Sequence, residues 1–310
     1  MKILVYLEKS DVRGGIEVFA ERHVARLRAD GNDVDVANGP MPEDFGPYDE
    51  VIVHKCSDVA TLERFPPEKT TYFVHDHDPI CPRSYAYTPL KRNCTRPSGI
   101  WPCLFCAPAC RNWRAALGRV LSQSRRKSAM SRFRRIVVIS EFMKSRLVAN
   151  GLCAGKIVVD PPVIDVGNVG DAANAVPSDI DLLFVGQLIR GKGVQLLLEA
   201  MALMDVPRTL DIVGAGNMEG ELREIAAQRR LVERVRFRGF QPNPLDWMRA
   251  ARCVVVPSFW QEPYGLVAAE AVALGRKVVA FAIGGLPEAC HGKATLVPPG
   301  DVAALAKALA

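Results

Sequence analysis

Short runs of β-branched and other apolar residues alternate along the first half of the chain with longer amphipathic stretches. The runs predict strands at Ile3–Leu7, Val34–Ala37, Val51–Val53, Thr71–Val74 and Ile136–Ile139. The stretch Ile16–Arg28 has apolar residues and His23 at helical spacing, and Asp30-Gly31-Asn32 predicts its end. Ser140 predicts the N-cap of a further helix, Glu141–Asn150. This alternation is typical of βαβ units in a parallel sheet.

A segment without periodicity, Pro161–Ser178, interrupts the alternation and has the composition of a linker. Beyond it the predicted strands are Leu182–Val185, Leu210–Val213, Val235–Phe237, Cys253–Val256, Lys277–Ala280 and Thr295–Val297. The predicted helices between them are Val194–Leu203, Glu219–Arg229, Leu245–Ala250 and Leu266–Leu274. We therefore predict an α/β protein of two doubly wound Rossmann-like domains, 1–165 and 179–310, joined by a linker at 166–178 and facing a central cleft. Ligands of such sheets bind at the carboxyl ends of the strands.

The sharpest chemical pattern follows the strand Cys253–Val256. Glu262 and Glu270 lie eight positions apart, and Pro263-Tyr264-Gly265-Leu266 stands between them. The helix start after Gly265 offers unpaired N–H groups to a phosphate, and each carboxylate can accept hydrogen bonds from sugar hydroxyls. Two acids at this spacing alone would favour a solvated helix face. The proline, aromatic and glycine residues around them favour a binding loop.

Three more glycine-rich loops follow strands of the same predicted domain. The first runs from Gly186 to Gly193 and contains Arg190 and Lys192, two cations able to neutralise phosphate oxygens. It is not a P-loop, because no Ser or Thr follows Lys192. The others are Gly214-Ala215-Gly216 and Gly284-Gly285. Each alone is an ordinary turn, but together the four loops predict a site for a nucleoside diphosphate.

Composition changes this picture mainly through one basic segment. The 310 residues carry a net charge of +6, yet 79–140 contains 13 Lys or Arg and no Asp or Glu. The same segment holds five of the nine cysteines. The sequence has no apolar stretch of the roughly 20 residues needed to cross a membrane and no signal-peptide core at its start, so we expect a soluble protein made in the cytosol.

The cysteines of this segment have partial metal-ligand spacing. Cys103 and Cys106 have the two-residue gap of a zinc knuckle, and Cys94 and Cys110 could complete four thiolates. A structural zinc is therefore one hypothesis, and free or disulfide-linked cysteines are the alternative.

A basic amphipathic helix is predicted next, at Arg111–Met130. Trp113, Leu117, Val120 and Leu121 share one face, and the cationic residues lie mostly around the rest. With the apolar residues Ile100 and Trp101 just before it, this helix suits an anionic membrane surface or an anionic acceptor. The alternative is a helix packed on its own sheet with a solvated basic side. No nucleic-acid-binding module is recognisable, so nucleic acid is not an expected partner.

The motifs resemble, in order, those of the retaining glycosyltransferases of family 4, which have the GT-B fold. The resemblance rests on the loop from Gly186 to Gly193, on Gly214-Ala215-Gly216 and on the stretch from Glu262 to Glu270. In the first half it rests on Gly14-Gly15 before a helix, Phe73-Val74-His75-Asp76, Ile139-Ser140-Glu141-Phe142 and Asp160-Pro161-Pro162-Val163. His54 and His77 lie outside it.

The resemblance implies transfer of a sugar from a nucleotide-diphosphate donor, a UDP- or GDP-sugar, with retention of configuration and without a catalytic metal. By matching position, Glu270 would bind the donor ribose, Glu262 the transferred sugar and Lys192 the diphosphate, and His75 would lie beside the reacting sugar. The donor site would further include Gly14, Gly15, Gly186, Gln187, Arg190, Gly214, Gly216, Tyr264, Gly265 and Leu266. The acceptor would be a glycan or a lipid-linked molecule of cell-surface polysaccharide or glycolipid synthesis, at the cytosolic face of a membrane.

Two departures from the family pattern keep alternatives open. Gln187 stands where the family usually has an arginine, and we predict that Arg190 substitutes for it. The sequence ends at Ala310, before the helix with which the family usually crosses back to the N-terminal domain, so either the chain is truncated or its domains close differently. A catalytically silent GT-B binding subunit and a nucleotide-sugar epimerase of the same fold are the alternative functions. A zinc-dependent nucleic-acid binder is a remote one.

Overall fold

The computed structural model describes residues 1–8, 15–83, 86–88, 92–106, 113–167, 176–177 and 179–310. The chain divides into two units, Met1–Pro162 and Val163–Ala310. Both are α/β units with parallel sheets, as the alternation of apolar runs and amphipathic stretches predicts.

The first unit is built on one parallel sheet. Its strands are β1 (Lys2–Leu7), β2 (Asp33–Asn38), β3 (Glu50–Lys55), β4 (Thr70–Val74), β5 (Arg135–Val138) and β6 (Ile157–Val159). Its helices are α1 (Gly15–Ala29), α2 (Val59–Arg64), α3 (Ile100–Cys106), α4 (Trp113–Arg132) and α5 (Glu141–Ala149). The strand order is β2-β1-β3-β4-β5-β6, and the order reverses between β1 and β3. The loops after these two strands therefore lie at the switch point of this sheet.

Burial and capping explain the local structure of this unit. Every residue of β4 is buried, which accounts for its continuous apolar and β-branched sequence. Helix α5 begins where Ser140 accepts a hydrogen bond from the backbone N–H of Met143 at 3.0 Å, as the sequence predicts for an N-cap serine.

The second unit repeats the architecture. Its strands are β7 (Ile180–Val185), β8 (Leu210–Val213), β9 (Val235–Gly239), β10 (Ala251–Val256), β11 (Lys277–Phe281) and β12 (Thr295–Val297). Its helices are α6 (Val194–Ala202), α7 (Glu219–Gln228), α8 (Pro244–Ala250), α9 (Leu266–Ala273), α10 (Leu286–Ala289) and α11 (Val302–Leu309). The strand order is β12-β11-β10-β7-β8-β9, so the switch point lies between β7 and β10. Apolar side chains cover both faces of this sheet.

Helix α4 packs against its own unit with part of its predicted apolar face. Val120 is buried, and Ala116 is buried with it, but Leu121 is 45% exposed. The helix contacts its own unit through residues near Ala116, Val120 and Gln123, so the predicted apolar face is only partly buried. The side chain of Trp113 lies outside the described residues.

Among the described residues, no helix is long and apolar enough to cross a membrane.

Candidate active site

The loops after β7 and β10 meet at the switch point of the second sheet. The backbone N–H of Phe259 donates to the carbonyl of Gly191 at 3.1 Å. Gly193 has a left-handed backbone (φ +75°), and a Cβ at this position would overlap the carbonyl oxygen of Pro257. Only glycine therefore allows the two loops to approach this closely.

A buried ion pair connects these two loops. The ammonium of Lys192 lies 2.6 Å from Oε1 of Glu262, and the hydroxyl of Ser258 donates to the same oxygen at 2.7 Å. The ammonium also lies 5.4 Å from the centre of the Trp260 ring, within the range of a cation–π contact. Burial acts to raise the pKa of Glu262, but Lys192 and Ser258 outweigh it and hold the pKa below its ordinary value. Glu262 is therefore a carboxylate at neutral pH.

The other two glycine loops join the same assembly through backbone contacts. Gly214 has φ +139°, and a Cβ there would overlap the carbonyl oxygen of Gly186. The N–H of Leu188 donates to the carbonyl of Ala215 at 2.9 Å, and the N–H of Gly285 donates to the carbonyl of Glu262 at 2.7 Å. A Cβ at Gly216 would likewise overlap the backbone of Leu188. The structure thus brings together the four loops that the sequence predicts to form one site.

The predicted residues around α9 lie beside this assembly. Gly265 precedes the helix with φ +114°, and Leu266 is its first residue. Glu270 lies one turn further along and is partly buried. Tyr264 is buried, and its hydroxyl lies 3.4 Å from Nε2 of His291.

Arg190 and Gln187 lie at the exposed side of the first loop. Nη2 of Arg190 is 2.7 Å from both carboxylate oxygens of Glu221 on α7, and Gln187 is exposed. Arg190 is therefore paired with Glu221, whereas Glu262 is paired with Lys192. The role of Arg190 as a substitute for the usual arginine stays a prediction.

In the first unit, His75 follows β4 and is the end of a chain of three histidines. Nε2 of His75 lies 3.0 Å from Nδ1 of His54 in β3, and Nε2 of His54 lies 3.0 Å from Nδ1 of His23 on α1. The rings of Phe19 and Phe73 surround the chain, with centroids 4.6 to 6.2 Å from those of the histidines. We call these three residues the histidine chain.

All three imidazoles of the histidine chain are neutral at pH 7. Burial, with a smaller contribution from the nearby His23, lowers the pKa of His75 to about 3. Burial also lowers the pKa of His54 and of His23. A neutral imidazole has one N–H and one acceptor nitrogen, so the chain has two consistent proton arrangements. In one, Nδ1 of His75 carries a proton, and in the other it is an acceptor.

His54 and His23 are functional candidates that sequence reasoning missed. In the sequence, His23 lies among the apolar positions of α1, and His54 directly follows a run of apolar residues in a buried strand. Each is compatible with an ordinary core histidine, and only the tertiary structure shows that both reach His75.

Next to His75, Asp76 adds a group that titrates near neutrality. Burial and the carboxylate of Asp78 raise the pKa of Asp76 to about 7. Gly15 is the first residue of α1. Gly14, predicted to belong to the same glycine loop, lies outside the described residues.

The predicted zinc ligands are only partly described. Cys94, Cys103 and Cys106 are free thiols and Cys110 lies outside the described residues. Burial raises the pKa of the Cys81 thiol, and the thiols of Cys94 and Cys103 contribute to the increase, although Cys81 was not among the predicted zinc ligands. No three His, Cys, Asp or Glu side chains in the described part of the chain are arranged to hold a metal ion. A structural zinc stays a prediction based on spacing.

The fold is that of known GT-B glycosyltransferases. HepE of Anabaena, solved in complex with UDP, superposes with a TM-score of 0.69 and 19% identity over 100% of this chain and 89% of HepE. WaaG, a glycosyltransferase involved in lipopolysaccharide biosynthesis, gives a TM-score of 0.63 and 16% identity over 99% of this chain and 90% of WaaG. The chain therefore has the GT-B fold, and this prediction is confirmed.

Sequence comparison finds similar proteins for the second unit and for part of the chain as a whole. Residues 179–310 match the model "Glycosyl transferases group 1". The D-inositol 3-phosphate glycosyltransferase of Pseudarthrobacter chlorophenolicus is 36% identical over 167 residues, which are 48% of this chain and 40% of that protein. An enzyme of the same name from Catenulispora acidiphila is 40% identical over 122 residues, 35% of this chain and 29% of that protein. The chain thus spans less than half the length of these curated relatives. Residues 179–310 are thus similar in sequence to the group 1 glycosyltransferases, in the half of the chain that contains the predicted donor loops.

Proposed function

We propose that this protein transfers a sugar from a nucleoside diphosphate sugar to a hydroxyl of its acceptor with retention of configuration. The observation that carries the proposal is the Lys192–Glu262 pair at the switch point of the second sheet, where ligands of doubly wound sheets bind. It combines a cation for the diphosphate with a carboxylate for the sugar hydroxyls.

The proposed role of Lys192 follows from the charge that develops in the reaction. When the bond between the sugar and the diphosphate breaks, negative charge grows on the leaving oxygen, and a fixed cation lowers the energy of that state. The backbone N–H groups of Gly265 and Leu266, at the start of α9, add a second positive region. Glu262 then accepts hydrogen bonds from the sugar, and Glu270 accepts them from the ribose. We expect no catalytic metal for these roles.

His75 supplies the polar group of the first unit in this proposal. Because its imidazole is neutral, it can donate or accept a hydrogen bond at the reacting sugar without adding a positive charge. The histidine chain fixes the ring, since Nε2 is held by His54. His75 is thus a contact to the sugar, and His54 and His23 are positioning residues.

Relatives support a choice of substrates. Because HepE was solved with UDP and with UDP-glucose, we propose a UDP-sugar as the donor and a GDP-sugar as the alternative. The names of the sequence relatives concern an inositol phosphate acceptor, and those of structural neighbours concern lipopolysaccharide. For this chain we propose a glycan or lipid-linked acceptor of cell-surface polysaccharide or glycolipid synthesis.

We further propose that the protein works on the cytosolic face of a membrane. Ile100 and Trp101 of α3 are 47% and 73% exposed, and such side chains suit a membrane interface. The cationic side chains of α4 contribute less to membrane binding than their number suggests. Arg125 pairs with Glu63, and the ammonium of Lys127 donates to the carbonyl of Asn150, so both are held by their own unit.

Donor turnover is the experiment that tests the proposed function. The purified protein is incubated with UDP- and GDP-sugars, and slow release of the nucleoside diphosphate is measured. We expect release from at least one donor. Binding of UDP or GDP without any release would favour the silent binding subunit instead, and conversion of one nucleotide sugar into another would favour the epimerase.

Arg190→Ala tests the predicted substitute for the usual arginine. We expect turnover to fall about 10-fold, because one charge-assisted contact to the diphosphate is lost. The matched control is Arg223→Ala, which removes another exposed arginine paired with a glutamate, Glu219. Equal turnover in the two variants would show that Arg190 serves only its ion pair with Glu221.

A further inference from the structure

A cavity in the first unit adjoins the corner that contains His75. It has a volume of about 570 Å³ and is lined by α4 and by the segments that follow β3 and β4. We call it the α4 cavity. Its volume lies within the range of sites for small molecules. Ser57, Asp78 and Arg126 line both this cavity and the small pocket around His75 and Asp76. A molecule in the α4 cavity therefore lies beside the proposed reaction site.

The wall formed by α4 carries two arginines. Arg119, Ser122 and Arg126 line the cavity and are spaced three and four residues apart, which places them along one face of the helix. Arg119 is exposed and has no ion-pair partner among the described residues. Its guanidinium is thus available to a ligand.

Arg126 is fixed in place by its surroundings. Its Nη2 donates to the carbonyl of Ser57 at 2.8 Å, and its Nη1 lies 3.9 Å from Asp78. The side chain is only 15% exposed. A cation held in this way is preorganised, so little conformational entropy is lost when an anion binds to it.

The charge balance of the cavity favours an anion. Asp78 is the single carboxylate among its described lining residues, against two guanidinium groups. The segment 79–140 supplies the α4 wall and contains no acidic residue. The hydroxyls of Ser57 and Ser122 and the amide of Gln123 add neutral hydrogen-bonding groups. Two arginines with hydroxyls around them suit the oxygens of a phosphate better than a neutral sugar.

We propose that the α4 cavity is an acceptor subsite for a phosphate ester, in which Arg119 and Arg126 bind the phosphate of a phosphorylated polyol or lipid headgroup. The phosphate then holds the rest of the acceptor next to His75. This inference rests on the proposed function for the identity of the ligand as acceptor, but the binding of the phosphate ester itself does not depend on turnover.

The test measures binding of myo-inositol 3-phosphate, inorganic phosphate and unphosphorylated myo-inositol by calorimetry. UDP and GDP are present at saturation, so that phosphate does not compete for the nucleotide site. We expect both phosphate compounds to bind and myo-inositol not to bind. Arg119→Gln should weaken phosphate binding about 10-fold, the loss expected for one charge-assisted contact. Arg132→Gln, an exposed arginine on the same helix that does not line the cavity, is the matched control.

A second arm distinguishes the source of the phosphate. Vesicles of phosphatidylcholine, with and without a phosphoinositide, are tested for binding to the wild type and to both variants. Binding lost in Arg119→Gln but kept in Arg132→Gln supports the proposal, and the probe that binds tighter identifies a soluble or a lipid acceptor. Equal binding in all three proteins, or no binding of any phosphate probe, overturns it. If phosphate binds as expected but no donor is turned over, the subsite stands and the proposed function fails.

Discussion

Replacing Lys192 with alanine is expected to lower turnover of the donor by about 10²–10³-fold, the loss typical of removing one fixed group that stabilises developing charge. The same change leaves Glu262 buried without its cation. Breaking a buried pair in this way costs about 2–3 kcal/mol of unfolding free energy, near the lower end of the usual range because Lys192 is 22% exposed. Turnover is measured as release of the nucleoside diphosphate, and stability by urea unfolding.

Because the variant changes both turnover and stability, a second substitution is needed to separate the two. In the double variant Lys192→Ala/Glu262→Gln no charge remains buried, so most of the lost stability should return. Turnover should stay low, because the cation for the diphosphate and the carboxylate proposed to bind the sugar are then both absent. Lys307→Ala, an exposed lysine on α11, controls for the loss of a positive charge. Recovery of turnover together with stability in the double variant would mean that Lys192 and Glu262 have only a structural role.

His75→Ala is expected to lower the rate of transfer by about 10²-fold, as for the loss of a single positioned polar group at the reacting centre. The affinity for UDP should not change, because Lys192, Glu270 and the start of α9, which are proposed to bind the diphosphate and the ribose, belong to the second unit. Rates at saturating donor and a separate titration with UDP measure the two effects. A parallel loss of rate and UDP affinity would contradict the role beside the reacting sugar.

His54→Phe tests the positioning role of the histidine chain. Phe keeps the aromatic contact to Phe73 but removes the hydrogen bond to Nε2 of His75. The rate should fall about 10-fold with an unchanged KM for the donor, since orientation of the catalytic group alone is lost. A structural role alone would lower stability and leave the rate per folded molecule as it was.

Stability at acidic pH supplies a second readout of the same variant. The pKa of His54 in the folded protein lies well below its unfolded value of about 6.5, so the unfolded chain binds a proton that the folded chain does not as pH falls below that value. Wild-type stability therefore declines from about pH 6.5 downward, by up to about 1.4 kcal/mol per pH unit for this residue. His54→Phe should lose less stability than the wild type between pH 7 and pH 5.

The sequence predicts the second unit more completely than the first, because the signals of the second unit lie close together along the chain. The donor loops follow strands directly, and their glycines, Lys192 and Glu262 are recognisable from residue type and short spacing. The predicted strands there agree with the structure to within two residues at each end. The Lys192–Glu262 contact joins residues 70 positions apart. It forms because β7 and β10 are neighbours in the sheet, which places the loops that follow them side by side.

The features missed in the first unit depend on contacts over long sequence distances. His23, His54 and His75 come from three elements that are adjacent only after the sheet has formed. Helix α4 was correctly predicted as a helix, but which part of its apolar face is buried depends on what the helix packs against, and Leu121 is exposed.

The interlocked glycine loops of the second unit have a consequence for how donor specificity arises. Their backbones are fixed to one another by hydrogen bonds and by close contacts that exclude any side chain at Gly193 and Gly214. These loops are already ordered before a donor binds. The conformational entropy that must be lost to form the site is therefore lost during folding and not during binding. A rigid frame of this kind also separates two tasks. Substitutions of the side chains that point into it can change the preferred sugar or base, while the frame that holds the diphosphate stays the same.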